Sequence, residues 1–219
     1  MGAIIDFPAL ENAEPCSEPF TYVHISSVIA PDAKPGLGKD FPHIARPGFF
    51  PLSEMKVEGA FAKLIDDMTG DVFASILGQK LGLDLSDKPR LITVRKLSAA
   101  KDGRVHNDGE AKIATALIYL NDDWERSGKG CFRILNGPDS MDEFACEVPP
   151  LFGAMVAFRR SENSWHGHPP FVGERRVVQM AYLRSAADLE RKSRRGRWSM
   201  FLKTLNPFQS PGRSGPVSA

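Results

Sequence analysis

The sequence lacks any long hydrophobic run. It has 219 residues, of which 42% are hydrophobic, but no apolar stretch approaches the ~20 residues that a membrane-spanning helix needs. The first residues contain Asp6 and no basic segment ahead of their apolar side chains, so we do not expect a secretory signal there. The length and composition instead predict one sizeable globular domain, with or without a terminal appendage.

Cysteine is scarce and poorly placed for cross-linking. The chain has three cysteines, Cys16, Cys131 and Cys146, which are odd in number, far apart and without a C-x-x-C pair. This pattern argues against a disulfide framework and is typical of reduced thiols in a cytoplasmic protein. We therefore predict a cytoplasmic location and expect the three thiols to be small buried side chains.

The formal net charge is only +1, but the charged residues are unevenly distributed. From Arg184 to Ala219 there are eight Lys or Arg and two Asp or Glu, so the rest of the chain is mildly acidic. Residues 186–205 are predicted to form a helix, and 206–219 a disordered tail. We interpret the basic helix as a solvated face, with contact to nucleic acid or a membrane as the alternative.

Ahead of this basic segment, helical periodicity is found only in the first part of the chain. Residues 1–52 are rich in Pro and Gly, apart from the strand-like run 20–29. Ser53 resembles an N-cap, and apolar residues follow it at helical spacing until Thr69-Gly70 interrupts the pattern. A second helix is predicted to continue to Leu81.

From Pro89 to Leu183 the pattern changes to short β-like runs separated by turn residues. The runs are "RLITVRKL", "KIATALIYL", "CFRIL", "EFACEV", "GAMVAF" and "RRVVQMAYL". Their spacing predicts an antiparallel sandwich or barrel. The chain is thus expected to form a single domain over residues 1–205, with a β core at about 89–184.

Two segments of this region carry metal-ligand residues. His106 and Asp108 are two residues apart, and on an extended segment their side chains point to the same side. His166 follows after the intervening strands, where a strand can return beside the first. Two His and one carboxylate on one face of a metal form the facial triad of non-haem iron oxygenases. The alternative for the H-x-D alone is a surface loop with a hydrogen-bonded His.

An arginine pair follows the last histidine. Arg175 and Arg176 stand at the start of the apolar run "VVQMAYL". If the iron site uses a keto-acid co-substrate, the far carboxylate of that acid needs a cation in an otherwise apolar pocket, and the planar, bidentate guanidinium of arginine fits it best. Alternation along the strand puts Arg176 on one side with Val178, Met180 and Tyr182, and we predict that Arg176 faces the site. A pair of solvated strand-end arginines is the alternative.

These motifs together resemble the 2-oxoglutarate- and Fe(II)-dependent dioxygenases, in particular their prolyl 4-hydroxylase-like branch. The resemblance covers roughly Leu91 to Leu183 and rests on the H-x-D, the strand ending "YLN", the "GKGCFRIL" strand, and the His followed ten residues later by Arg. It implies a mainly β fold with flanking helices, namely a double-stranded β-helix (jelly roll) buttressed by the N-terminal helices.

The resemblance also implies roles for individual residues. The residues that match the iron ligands are His106, Asp108 and His166. Arg176 matches the residue that binds the 5-carboxylate of 2-oxoglutarate. Tyr119 matches a position whose hydroxyl often forms a further hydrogen bond to that carboxylate. His168 is surplus to the triad and is a candidate for the substrate pocket. Trp124 is a second such candidate, or else a loop anchor.

One departure from the family pattern concerns the strand before the H-x-D. This strand has no Tyr where relatives often place a second co-substrate contact. Arg95 or Lys96 could substitute for it, the alternative being an ordinary solvated strand cation.

The implied activity is hydroxylation of a C–H bond with release of succinate and CO2. The implied cofactors are Fe(II), 2-oxoglutarate and O2, with ascorbate as an optional accessory. The substrate, small molecule or peptide, is left open among a peptidyl proline, an amino acid and other metabolites. The alternatives are a cupin-like metal enzyme that does not use 2-oxoglutarate, and a non-catalytic binding module on the same fold.

Overall fold

The computed structural model describes residues 2–125 and 127–194. The helices are α1 Phe7–Asn12, α2 Lys34–Asp40, α3 Gly59–Thr69 and α4 Asp71–Leu81, with short 3-10 helices at Pro31–Ala33 and Leu52–Glu54. The strands are β1 Tyr22–Ile25, β2 Phe50–Pro51, β3 Arg90–Ser98, β4 Lys112–Tyr119, β5 Phe132–Leu135, β6 Phe144–Val148, β7 Met155–Arg159, β8 His166–Gly167 and β9 Gly173–Leu183. The six runs predicted as strands are thus confirmed.

The strands form two antiparallel sheets. The larger has the order β1-β7-β4-β9-β3-β2, and the smaller has the order β6-β5-β8. An apolar cluster joins facing sides of the two sheets; it includes Leu117 and Tyr119 of β4, and Phe132 and Ile134 of β5. The predicted class, mainly β with flanking helices, is confirmed.

The other side of the larger sheet is covered by the helices. A second apolar cluster joins Phe61, Leu64 and Met68 of α3 to strand residues that include Val178 and Met180 of β9. Strand β9 is therefore buried on both sides, with one face against the helices and the other toward the smaller sheet. This double burial matters below for the choice between the two arginines.

The predicted start of α3 is wrong. Ser53 lies in a short 3-10 helix, and α3 begins at Gly59. The cap comes from a distant residue, because the Asp40 carboxylate accepts a hydrogen bond from the Ala60 backbone N–H at 2.7 Å. Gly59 adopts a positive φ of 57°, and a Cβ at this position would lie 2.0 Å from Asp40 Oδ2. Glycine is therefore needed where the carboxylate approaches the backbone.

The end of the chain is described only in part. Residues 186–194 are helical, in agreement with the predicted helix, but the rest of that helix and the predicted tail 206–219 lie outside the described residues. No described helix is long and apolar enough to cross a membrane. The three cysteines are free; Cys131 is buried as predicted, whereas Cys16 is exposed and Cys146 is half-buried.

Candidate active site

The three candidate metal ligands come together where the two sheets meet. His106 lies in the loop before β4 and forms an isolated antiparallel bridge with His166 of β8. Each of these two residues donates its backbone N–H to the carbonyl of the other at 3.0 Å. Ligand atoms of His106, Asp108 and His166 all lie within 4.8 Å of one another. The backbone pairing thus sets the two imidazoles side by side.

Hydrogen bonds fix which imidazole nitrogen is available. Nδ1 of His106 lies 2.8 Å from the Arg104 carbonyl, and Nδ1 of His166 lies 2.8 Å from the Ser164 carbonyl. A carbonyl only accepts, so each Nδ1 carries the proton and each Nε2 keeps its lone pair. Burial lowers the pKa of His166 to about 4, which keeps that ring neutral near pH 7.

Asp108 is buried and ionised. Its Oδ1 accepts from the Lys112 ammonium at 2.7 Å, and its Oδ2 accepts from the Thr115 hydroxyl at 2.6 Å. Burial by itself would raise its pKa, but the charge of Lys112, the neighbouring His166 and these hydrogen bonds lower the pKa to about 2. Two neutral imidazoles and one carboxylate are a donor set that fits a divalent iron ion.

Two polar residues that the sequence did not single out hold the ligand loops together. The buried Ser164 hydroxyl donates to Asn107 Oδ1 at 2.6 Å. The Asn107 amide in turn donates to the carbonyls of Ser161 at 2.8 Å and Glu162 at 2.9 Å. Asn107 is the middle residue of the H-x-D motif, so its side chain points away from the metal site. These bonds lock the loop before β4 to the loop before β8.

A cavity of about 230 Å³ lies beside the triad, between the two sheets. Its walls include both candidate histidine ligands and side chains from strands of both sheets. The lining residues are Phe49, Arg95, Gly103, His106, Thr115, Leu117, Phe132, His166, Gly167, His168, Arg175 and Gln179.

Arg175 is buried at one side of this cavity, with 2% of its surface exposed. Its Nε donates to the Gly130 carbonyl at 2.8 Å, and its Nη2 donates to the Tyr119 hydroxyl at 3.3 Å. Within residues 2–125 and 127–194, no carboxylate lies within ion-pair distance of Arg175. A buried guanidinium without an anion is the arrangement expected of a carboxylate-binding residue.

The prediction that Arg176 faces the site is wrong. Arg176 forms an ion pair with Glu174, and its guanidinium lies 5.4 Å from the Phe41 ring centre. It lines a separate cavity of about 300 Å³. Residues 176, 178, 180 and 182 do share one face, as alternation required, but that face is turned away from the space between the sheets. Residue 175 therefore has the inward position.

The two candidate pocket residues are separated. His168 is buried and lines the cavity, with its Nδ1 2.9 Å from the Pro169 carbonyl. Trp124 instead lines the separate cavity, where its ring lies 4.6 Å from that of Phe171 and its Nε1–H donates to the Lys129 carbonyl at 2.9 Å. Trp124 thus has the contacts of a loop anchor, the alternative given for it, and does not line the cavity beside the triad.

Of the two cations on β3, one is buried and one is not. Arg95 lines the cavity with 7% of its surface exposed, whereas the Lys96 ammonium is on the opposite side, 3.9 Å from Glu174. Arg95 is therefore not an ordinary solvated strand cation, which was the alternative for this residue.

Comparisons with known proteins match the segment that carries this site and its fold. Residues 94–184 match the model of the 2OG-Fe(II) oxygenase superfamily. A prolyl-4-hydroxylase of Pseudomonas putida has 18% identity and a TM-score of 0.52, with 81% of this chain and 89% of that chain covered. The protein HygX from Streptomyces hygroscopicus, solved with nickel and 2-oxoglutarate bound, has 12% identity and a TM-score of 0.53, with 75% and 82% covered.

A third structure, of prolyl 4-hydroxylases from Phytophthora capsici, has 17% identity and a TM-score of 0.50, with 84% of this chain and 68% of that chain covered. No curated protein matches the sequence. The family model confirms the predicted resemblance to 2-oxoglutarate- and Fe(II)-dependent oxygenases, and the prolyl 4-hydroxylase structures share the fold of this chain. The matched segment contains the metal triad, Tyr119 and Arg175.

Proposed function

We propose that this 2OG-Fe(II) oxygenase holds iron on His106, Asp108 and His166, and the 5-carboxylate of 2-oxoglutarate on Arg175 and Tyr119. The observation that carries the proposal is that two of the triad residues, His106 and His166, line one cavity with a buried arginine that has no carboxylate partner among the described residues. Neither a cupin-like enzyme that does without 2-oxoglutarate nor a binding module requires that combination.

The residues around the triad prepare it for a divalent ion. The carbonyls of Arg104 and Ser164 hold the two imidazoles with Nε2 available, so no proton has to leave before they can bind iron. Thr115 and Lys112 fix the Asp108 carboxylate in its ionised form. When bound, Fe(II) supplies the oxidising chemistry with 2-oxoglutarate and O2, which the protein itself cannot supply.

Arg175 and Tyr119 are suited to a carboxylate. The bond to Gly130 holds the guanidinium in place, so its orientation is set before the ligand arrives. Burial raises the pKa of Tyr119, so its hydroxyl stays protonated near pH 7. That oxygen accepts from Arg175, which leaves its proton free to be donated to a carboxylate oxygen.

The apolar walls of the cavity serve to exclude water. Phe49, Leu117 and Phe132 line it together with the polar residues, so a bound co-substrate is shielded from solvent. Shielding strengthens the attraction between the guanidinium and an anion because the local dielectric is low. We propose hydroxylation of a C–H bond as the reaction, with a peptidyl proline, an amino acid or another metabolite as the substrate.

The cytoplasmic location is also proposed and is supported by the three free cysteines. The partner implied by the proposed reaction is a small molecule or a peptide.

Formation of succinate from 2-oxoglutarate tests the function directly. Purified protein with Fe(II) and O2 is expected to form succinate slowly without a substrate, and omission of Fe(II) is expected to stop the reaction. Asp108→Ala serves as the matched protein control. Fe(II)-independent succinate formation, or equal formation by the Asp108→Ala variant, would contradict the proposal. A gain of one oxygen in a component of cell extract would then identify the substrate.

A further inference from the structure

The cavity contains a second buried arginine. Arg95 of β3 pairs across the sheet with Val177 of β9, two residues from Arg175, so the two guanidinium groups come from neighbouring strands on the same face. Both side chains line the cavity, and both are more than nine-tenths buried. The proposed function uses only Arg175, which leaves the role of Arg95 open.

The contacts of Arg95 are incomplete. Its Nη1 donates to the Ser98 hydroxyl at 3.3 Å, and its guanidinium lies 4.1 Å from the centre of the Phe49 ring. The nearest carboxylate, Asp102, is 3.7 Å from Nη2, and it accepts a shorter bond of 2.9 Å from the Ala99 backbone. Among the described residues, the Nε–H of Arg95 has no hydrogen-bond partner. A buried donor without a partner is costly, and an anionic ligand would satisfy it.

His168 adds a second unpartnered polar atom to the same cavity. Its Nδ1 faces the Pro169 carbonyl and therefore carries the proton, whereas the buried Nε2 has no hydrogen-bond partner. The ring is held in place by the loop before β4, because a Cβ on Gly103 would lie 2.3 Å from it. Nε2 of His168 therefore offers a lone pair that accepts from an N–H or O–H group of a ligand, whereas the cation of this space that can bind an anion is Arg95.

Charge in the cavity favours another anion. Arg95 and Arg175 place two guanidinium groups around it, but Asp102 is the one carboxylate near either of them in the described part of the chain. Asp108 is already paired with Lys112. One carboxylate of the co-substrate balances Arg175 and leaves the charge of Arg95 weakly compensated.

We propose that Arg95 forms a second carboxylate-binding subsite of this cavity, distinct from Arg175 and Tyr119. The subsite binds either the other carboxylate of 2-oxoglutarate or a carboxylate of the substrate. In the second case, the substrate is an anionic compound rather than a neutral one. This inference rests on the proposed function of the cavity.

Two binding measurements on the Mn(II)-loaded protein distinguish the two sources. The first is the dissociation constant of 2-oxoglutarate, measured by titration calorimetry. The second is the nuclear magnetic relaxation rate of the methyl protons of acetate, which serves as a minimal carboxylate. Bound Mn(II) increases this rate when acetate lies close to the metal. The second measurement is made with 2-oxoglutarate already saturating, and acetamide serves as the neutral ligand control.

Arg95→Met and Arg95→Gln are the informative variants. If the subsite binds the co-substrate, both are expected to raise the dissociation constant of 2-oxoglutarate by about tenfold or more. If it binds a substrate carboxylate, that constant is expected to stay unchanged, whereas the relaxation enhancement of acetate is lost. Arg95→Gln retains a donor for Ser98 and is less disruptive, so it decides the question if the Met variant does not fold.

Lys96→Met is the matched control, because it removes a cation from the next position of β3 on the opposite face. Unchanged binding of both 2-oxoglutarate and acetate in folded Arg95→Gln overturns the subsite. Failure of the proposed function would look different, because wild-type protein would then not bind 2-oxoglutarate or would bind it equally well after Arg175→Ala.

Discussion

Arg175, which lines the cavity, donates a hydrogen bond from its guanidinium to the phenol oxygen of the buried Tyr119 across 3.3 Å. They come from adjacent strands, since Tyr119 of β4 is opposite Val177 of β9. Both are almost fully buried. The pair therefore offers a planar cation and a hydroxyl proton to one carboxylate, which is the basis of the first two predictions.

Arg175→Ala is expected to raise the apparent KM for 2-oxoglutarate by about 100-fold or more. Removal of a buried charged partner costs several kcal/mol of binding free energy, and about 1.4 kcal/mol corresponds to a tenfold change in affinity. Affinity for Mn(II) is expected to change little, because the guanidinium bonds to Gly130 and Tyr119 rather than to the triad. Succinate formation at varied 2-oxoglutarate concentration measures the effect.

The control for this variant is Arg176→Ala, which removes the neighbouring guanidinium from the other face of β9. Its effect on the KM is expected to be mild. A large increase with Arg176→Ala and none with Arg175→Ala would show that the assignment of the two arginines is reversed.

Tyr119→Phe is expected to weaken 2-oxoglutarate binding by about three- to tenfold. The change removes one hydrogen bond to the carboxylate, which typically contributes 0.5–1.5 kcal/mol, and keeps the ring that packs between the sheets. Calorimetric titration of the Mn(II)-loaded protein measures the effect. An unchanged dissociation constant would remove Tyr119 from the co-substrate site.

His106→Ala, Asp108→Ala and His166→Ala are each expected to abolish turnover and to weaken Mn(II) binding strongly, because each removes one of three ligands. His168→Ala is the matched control for metal binding, since it removes a buried histidine two residues from a ligand. Metal content after dialysis and the dissociation constant for Mn(II) are the measurements. Loss of metal by His168→Ala, with retention by His166→Ala, would invert the assignment.

Thr115→Val tests how Asp108 is held. The change preserves the side-chain shape and removes the hydroxyl that donates to Asp108 at 2.6 Å, and such supporting bonds typically affect metal affinity by about 10- to 100-fold. The control is Thr93→Val, because the Thr93 hydroxyl is buried without a partner and its loss is expected to be neutral or stabilising. Equal Mn(II) affinity in the Thr115→Val variant would show that Lys112 alone positions the carboxylate.

The features that depend on local spacing were predictable from the sequence. Alternation and turn residues predicted six of the seven strands from β3 to β9, all but the short β8, and the H-x-D with the later His predicted the triad. These features are local because a strand shows its two-residue period in its own residues. Convergence of His106 and His166 required only that the second strand return beside the first.

The choice between Arg175 and Arg176 could not be made in that way. Alternation separates the two faces of a strand, but it identifies the inner face only when the other face is polar. Both faces of β9 are buried, one against α3 and α4 and one toward the smaller sheet. The sequence pattern is therefore equally apolar for both assignments.

Contacts between distant residues were also missed. Asp40 caps α3 from twenty residues away, and Ser164 joins Asn107 across 57 positions. Arg95 is buried by Phe49 and by the loop at Gly103. Both are distant in sequence, so the pattern of residues in β3 does not reveal the burial. No local period reports such contacts, because they form only when separate elements pack.

The double burial of β9 has a consequence for sequence change in this protein. Val178 and Met180 pack among the helices, while Arg175 of the same strand lines the cavity between the sheets. A substitution in the interior of α3 or α4 that shifts this strand also displaces the guanidinium. A core substitution in α3 or α4 is therefore expected to change the affinity of the cavity for an anion, although neither helix contributes a residue to its walls.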